Sequence, residues 1–141
     1  MSKITTAYTL TFHDVPNVGA VFQAYALQRF LIESGFESKI LDYRPFYHFL
    51  EVLKPVKGLS RNINKFRMHR NVRAFNEKHL RLTEKRLRST KEFAFLDSSS
   101  ALVAGSDQIW NPKLTGNGVD PVFFLGGKTD ARKIAYAASA G

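Results

Sequence analysis

The side chains best equipped for chemistry fall in one stretch, Gly105-Ser106-Asp107-Gln108-Ile109-Trp110-Asn111-Pro112, directly after the apolar run Ala101-Leu102-Val103-Ala104. Ser106, Asp107, Gln108 and Asn111 supply donors and acceptors, Gly105 permits close backbone approach, and the single tryptophan, Trp110, offers a flat apolar face. That mixture suits gripping a polar ligand. It also suits a plain strand-to-helix connection, with Asp107 as a cap and Trp110 in the core. A second group precedes it in the chain: His13 beside Asp14, then Asn17-Val18-Gly19 and Gln23. His13 is placed to donate to an anion or to bond locally. The Gly19-Ala20 junction opens a helix whose free N–H groups and dipole favour phosphate or carboxylate, although an Asn-x-Gly there also reads as a simple tight turn.

Other chemistries are excluded early. The chain has no cysteine, which removes disulfides and a thiolate nucleophile, and its four histidines, His13, His48, His69 and His79, show no ligand spacing with nearby carboxylates. Neither a metal nor a cofactor is expected. At 141 residues and 44% hydrophobic the chain suits one packed domain. No secretory signal opens it, and no apolar run reaches the roughly 18 residues of a membrane span, so the expected location is cytoplasmic.

The net charge of +9 is concentrated: from 54 to 91, 13 lysines and arginines stand against Glu77 and Glu84 alone. Within this segment Ile63, Phe66, Val72, Phe75 and Leu80 recur at near-helical spacing among Arg61, Lys65, Arg67, Arg70, Arg73 and Lys78, predicting an amphipathic helix over 61–79 with a cationic polar face. Such a face is most simply a solvated one; anionic lipid or an anionic substrate is its next use. With few aromatics free to stack on bases, nucleic acid is not an expected partner.

The remainder alternates strands and helices. A strand is predicted over 4–12, then a helix from Ala20 with an apolar face of Val21, Phe22, Tyr25, Leu27, Phe30 and Leu31, closed by Gly35. A second strand follows over 37–43, ended by Pro45, then the basic segment and a short helix over 91–96. The strand over 101–104, the polar loop, a turn-rich run over 111–121 and a last strand over 134–138 complete the chain. This order predicts an α/β fold, a Rossmann-like parallel sheet with flanking helices, whose loops after the strands converge on one edge.

Four blocks of the chain resemble, in order, those of the polysaccharide pyruvyl transferase family. They are Asn17-Val18-Gly19-Ala20-Val21-Phe22-Gln23-Ala24-Tyr25-Ala26-Leu27-Gln28, Leu41-Asp42-Tyr43-Arg44-Pro45, Gly105 to Pro112, and Ala135-Tyr136-Ala137-Ala138-Ser139-Ala140-Gly141. The resemblance implies transfer of the enolpyruvyl unit of phosphoenolpyruvate to sugar hydroxyls as a cyclic ketal, during assembly of bacterial surface polysaccharides or exopolysaccharide. It further implies one lobe of a fold like the B-type glycosyltransferases, residues 1–141 forming a single amino-terminal lobe and the carboxyl-terminal lobe lying outside this chain, so that the chain alone is inactive. By position, Asn17, Gly19, Gln23, Ser106, Gln108, Trp110 and Asn111 are the expected substrate contacts, the glutamine and asparagines for sugar hydroxyls and Trp110 under a ring. Asp107 and His13 are the catalytic candidates, Asp107 as base for a sugar hydroxyl. Val18 stands where the family more usually has tyrosine, and Phe22 where it has leucine. Phosphoenolpyruvate is expected to be held largely by the second lobe, and the acceptor to be a sugar, nucleotide-sugar or lipid-linked sugar. The alternative is a non-catalytic module for anionic glycans or lipid-linked intermediates, using the basic helix peripherally at the inner face of the membrane.

Overall fold

The computed structural model describes residues 3–105, 108–116 and 118–141. Its element order is β1 (Thr6–Leu10), α1 (Val18–Glu33), β2 (Glu37–Ile40), α2 (Phe46–Leu53), α3 (Leu59–His79), a 3₁₀ helix (Thr90–Phe95), β3 (Ser100–Gly105) and β4 (Arg132–Tyr136). The four strands form one sheet in the order β2-β1-β3-β4, and every neighbouring pair is parallel. This is the expected α/β, Rossmann-like arrangement. Because all strands run the same way, the loops that follow β1, β3 and β4 leave the same edge of the sheet.

The pleat sorts the residues to two faces. Leu10, Leu102 and Ala104 join the larger core cluster with Phe12, Leu41, Phe93, Leu96, Ile109, Phe123 and Leu125, whereas Ile40 packs with Ala24 of α1 and Leu80 beyond α3 on the other side. Every residue of β3 is buried, as a central parallel strand covered on both faces should be, and every residue of the edge strand β4 is exposed. Gly105 ends β3: a Cβ there would lie 2.7 Å from Leu27 Cδ2, so the glycine lets α1 lie close over the strand with that leucine undisturbed.

Asn17 starts α1, its Oδ1 accepting from the Ala20 N–H at 3.3 Å, so the helix begins two residues before the position its apolar period indicates. Its buried residues are Val21, Ala24, Leu27 and Gln28, while Phe22 and Phe30 of the predicted apolar face are exposed. The buried Gln28 takes the place of an apolar contact: its Nε2 donates to Arg81 O at 3.0 Å and its Oε1 accepts from Arg81 N at 2.9 Å, tying α1 to the chain after α3. β2 is shorter than predicted: beyond Ile40 the described pairing is an isolated bridge of Tyr43 with Leu87, and Ile40 itself also bridges Leu82. The short helix is a 3₁₀ turn closed by a capping box between Ser89 and Glu92.

Two elements depart from the sequence expectation. Pro45, read as a stop, is the N-cap of α2, a helix of eight residues that is too short to show a clear helical period. The predicted last strand is displaced toward Arg132 and Lys133, whose backbones pair with Ala101 and Leu102.

Candidate functional site

An open cavity of about 920 Å³ lies at the carboxyl edge of the sheet. Its walls bring together Asn17, Gly19, Ala20 and Gln23 from the start of α1, Tyr47, His48 and Glu51 from α2, Lys54 and Lys65 around the α2–α3 corner, and Gln108 and Lys113 from the loop after β3. Phe12, Val15 and Leu114 supply apolar surface. The first turn of α1 carries no acidic residue, so its positive end faces the cavity unneutralised apart from the Asn17 cap. Lys54 is paired with Glu51, and Lys65 donates to the backbone carbonyls of Glu51 and Lys54. Lys113 forms no ion pair among the described residues, and its ammonium is the free cation of this wall.

The Gln23 side chain is a second feature of the wall. Its Oε1 accepts from Thr11 Oγ1 at 3.3 Å, while its Nε2 is shielded from solvent and has no hydrogen-bond partner among the described residues. Gln108 sits in the left-handed backbone region at φ 56°, with its N–H donating to Ser139 Oγ at 2.9 Å and its Oε1 accepting from Asn111 Nδ2 at 3.2 Å. The segment after β4 thus holds Gln108 and Trp110, whose backbone N–H groups donate to Ser139 Oγ and Ser139 O. His48 stands between Phe12 and Tyr47, with ring centroids at 5.3 and 4.8 Å. Burial pushes its pKa down to about 4 against the opposing effect of a hydrogen bond at the Leu114 backbone, so at neutral pH it is an uncharged imidazole able to accept a proton.

The sequence candidates divide. Asn17, Gly19, Gln23 and Gln108 meet in the cavity. Asn111 shapes the turn beside it: Oδ1 accepts from Lys113 N at 3.0 Å and its carbonyl from Thr115 Oγ1 at 3.2 Å. Trp110 is half-buried against the larger core, donating Nε1–H to Phe123 O at 3.0 Å and stacking on Phe124 at 5.4 Å, the core placement that the sequence left open for it. Ser106 and Asp107 lie outside the described residues. His13 is buried and is not part of the cavity wall. Its Nε2 meets Asp42 Oδ1 at 3.1 Å, and Asp42 also takes a 2.6 Å bond from Arg44 Nε. Asp14 alongside is gripped by Arg73 Nε and Nη2, both at 3.2 Å, and Asn76 Nδ2 donates to His13 O at 2.7 Å. His13 and Asp14 therefore belong to a network that fastens α3 to the loop after β1.

Sequence reasoning did not single out Tyr47, His48, Lys54, Lys65 or Lys113 as site residues. The periodicity around Tyr47 and His48 gives no sign that α2 turns them inward, Lys54 and Lys65 are two among the 13 cations of the basic segment, and Lys113 lies in a turn-rich run with no local signal. Among the described residues no cluster of three or more histidine, aspartate or glutamate side chains converges at metal-binding distance.

A Rossmann-like parallel sheet with a polar, lysine-bearing cleft at its carboxyl edge is the class of protein that this fold and site define. In comparison with known proteins, no family model, no curated protein and no solved structure matches the chain.

Proposed function

We propose that the chain is one lobe of an enzyme of the polysaccharide pyruvyl transferase kind, in an arrangement like one half of a B-type glycosyltransferase, and that its cleft holds the sugar acceptor beside the enolpyruvyl donor. The observation that carries the reading is convergence: Asn17, Gly19 and Gln23 from one of the four sequence blocks and Gln108 from another, far apart in the chain, line a single cavity. In the reaction two sugar hydroxyls add to C2 of phosphoenolpyruvate, phosphate leaves and the methylene carbon takes up a proton. The amides of Asn17, Gln23 and Gln108 suit hydroxyl and phosphate oxygens, the Lys113 ammonium and the open end of α1 suit the donor's carboxylate or phosphate, and the neutral imidazole of His48 suits the proton of an attacking hydroxyl. Asp107 remains the carboxylate candidate for that last role.

The test is phosphate release from phosphoenolpyruvate over a panel of sugar, nucleotide-sugar and lipid-linked acceptors, with the chain alone and with the adjoining reading frame co-expressed. Acceptor-dependent release that falls at least tenfold in Gln108→Ala supports the reading. Absence of release in both preparations, with no saturable binding of donor or acceptor to the chain, overturns it.

A further inference from the structure

α2 is amphipathic the wrong way round for a core helix. Phe46, Phe49, Leu50 and Leu53, spaced to fall on one stripe, are 70%, 48%, 43% and 48% exposed, and Val52 is its one buried residue. Past the corner, Leu59, Ile63 and Phe66 of α3 are exposed as well, at 78%, 49% and 50%. The corner is built rather than loose: Asn62 Nδ2 donates to Val56 O at 2.8 Å and to Gly58 O at 3.1 Å, its Oδ1 accepts from Val56 N at 3.0 Å, and Lys65 reaches back to the end of α2. A bulky apolar ridge is thereby held in water on a fixed scaffold.

The charge around the ridge is one-sided. Between Phe46 and Asn76 the sequence has seven lysines and arginines and one acid, Glu51, and that acid is paired with Lys54. Arg61, Arg67 and Arg70, on the same corner and along α3, enter no ion pair among the described residues. Aliphatic residues such as Leu53, Leu59 and Ile63 do not stack on bases, and an acidic protein groove would have to pair cations spread over two helices one by one, whereas a sheet of anionic headgroups meets them at any spacing. Exposed apolar side chains accompanied by cations without ion pairs match a bilayer surface, with side chains in the headgroup–acyl boundary and cations among anionic headgroups.

We propose that the α2–α3 corner docks the protein on anionic membranes, Leu53, Leu59, Ile63 and Phe66 inserting and Arg61, Arg67 and Arg70 pairing with lipid phosphates. No helix among the described residues is long and apolar enough to cross a membrane, so the contact is one of lying on the surface. Lys54 and Lys65 of the same corner also line the cleft, which sets the cleft mouth close to the lipid. The docking surface stands on exposure and charge and does not depend on the transfer reaction.

The experiment is flotation of the chain with vesicles of phosphatidylglycerol and phosphatidylethanolamine, against phosphatidylcholine vesicles, at low and high salt. Binding to the anionic vesicles is expected, weakened by salt and at least tenfold weaker on phosphatidylcholine. Arg61→Gln, Arg67→Gln and Arg70→Gln together are expected to lower partitioning by roughly a hundredfold, at about fivefold for each cation near the surface. Leu59→Ser with Phe66→Ser, both at exposed positions, is expected to abolish it without a change in thermal midpoint. A tryptophan at position 59, introduced as Leu59→Trp, is expected to shift its emission to the blue on anionic vesicles. Equal partitioning to both lipids, unaltered partitioning of the variants, or self-association or duplex binding through the ridge in place of vesicle binding overturns the proposal.

Discussion

His13 Nε2 lies 3.1 Å from Asp42 Oδ1, a contact between the loop after β1 and the segment after β2 that is buried beneath Arg44 and the start of the ion network to α3. Burial raises the carboxyl of Asp42, but the hydrogen bonds from His13 and Arg44 and the guanidinium charge outweigh it and hold the group at about 2, against the ordinary 3.8. A carboxyl whose folded value is depressed contributes stability above its unfolded value and loses it as pH falls toward the folded one. Urea denaturation should therefore show stability declining between about pH 4 and pH 2. Asp42→Asn should flatten that decline and cost about 2 kcal/mol at neutral pH, since it removes a charged acceptor from two buried or half-buried donors.

His48 gives a second window with the same sign. Its value of about 4 lies below the ordinary 6.5 because the ring is buried, so the unfolded chain takes up a proton between these values that the folded chain does not. Stability should fall as pH drops from about 6.5 to 4, by up to about 3 kcal/mol at 1.36 kcal/mol for each pH unit of displacement. His48→Leu should remove most of that slope in thermal melts across the interval. His69, also pushed down by burial, adds a smaller part that the variant keeps.

Tyr43 and Tyr47 donate to the same oxygen, Asp120 Oδ2, at 2.7 and 2.6 Å, while Asp120 Oδ1 accepts from the Val122 N–H at 2.9 Å. Burial first, and then the carboxylate, push both phenols well above their usual range. Ultraviolet titration should leave these two tyrosines un-ionised at pH 11. Tyr43→Phe and Tyr47→Phe should each cost about 1 kcal/mol, and the double variant more than their sum, because only then does Oδ2 lose every donor.

Two glycines separate by what stands in the way of a side chain. At Gly127 a Cβ would lie 2.3 Å from the Thr90 carbonyl oxygen and 2.4 Å from Phe93 Cδ2, a backbone atom and a fully buried ring; at Gly105 the nearest atom is the tip of Leu27. Gly127→Ala should cost about 3 kcal/mol and Gly105→Ala about 1 kcal/mol, read from denaturation midpoints, because the leucine has rotamers to move into and the 3₁₀ turn has none.

These relationships explain what the sequence could and could not show. Strand, helix and basic segment were legible because hydrophobic period is local: Thr6–Leu10, the existence of α1 and the all-buried β3 are written in neighbouring residues, whereas the buried face of α1 is not, since Phe22 and Phe30 are exposed and Gln28 is buried. Asn17 and Gly19 were legible through their position before a helix. The partner of His13 is not local, so a histidine that reads as a loop donor proves to be committed to Asp42 across the sheet edge. Trp110 drew notice as a stacking surface, yet its indole N–H finds the Phe123 carbonyl, and only the packed structure tells these apart. α2 is not legible because eight residues are fewer than a helical period needs to stand out, and nothing local says which way its stripe points.

Gln23 tests whether the cleft is a binding site or a fold defect. A shielded amide nitrogen without a partner costs free energy, and replacement by leucine, of similar size, would remove that cost while also depriving Thr11 Oγ1 of its acceptor at 3.3 Å. The two effects oppose, so Gln23→Leu should change stability by less than about 1 kcal/mol. If the nitrogen is held ready for a ligand oxygen, the same variant should weaken saturable binding of donor or acceptor at least tenfold, the loss expected of one hydrogen bond made in a cleft. Calorimetric titration of phosphoenolpyruvate and of sugar acceptors into wild type and Gln23→Leu reads this directly. A variant that binds as well as wild type would reduce Gln23 to a packing residue and move the polar recognition to Gln108 and Lys113.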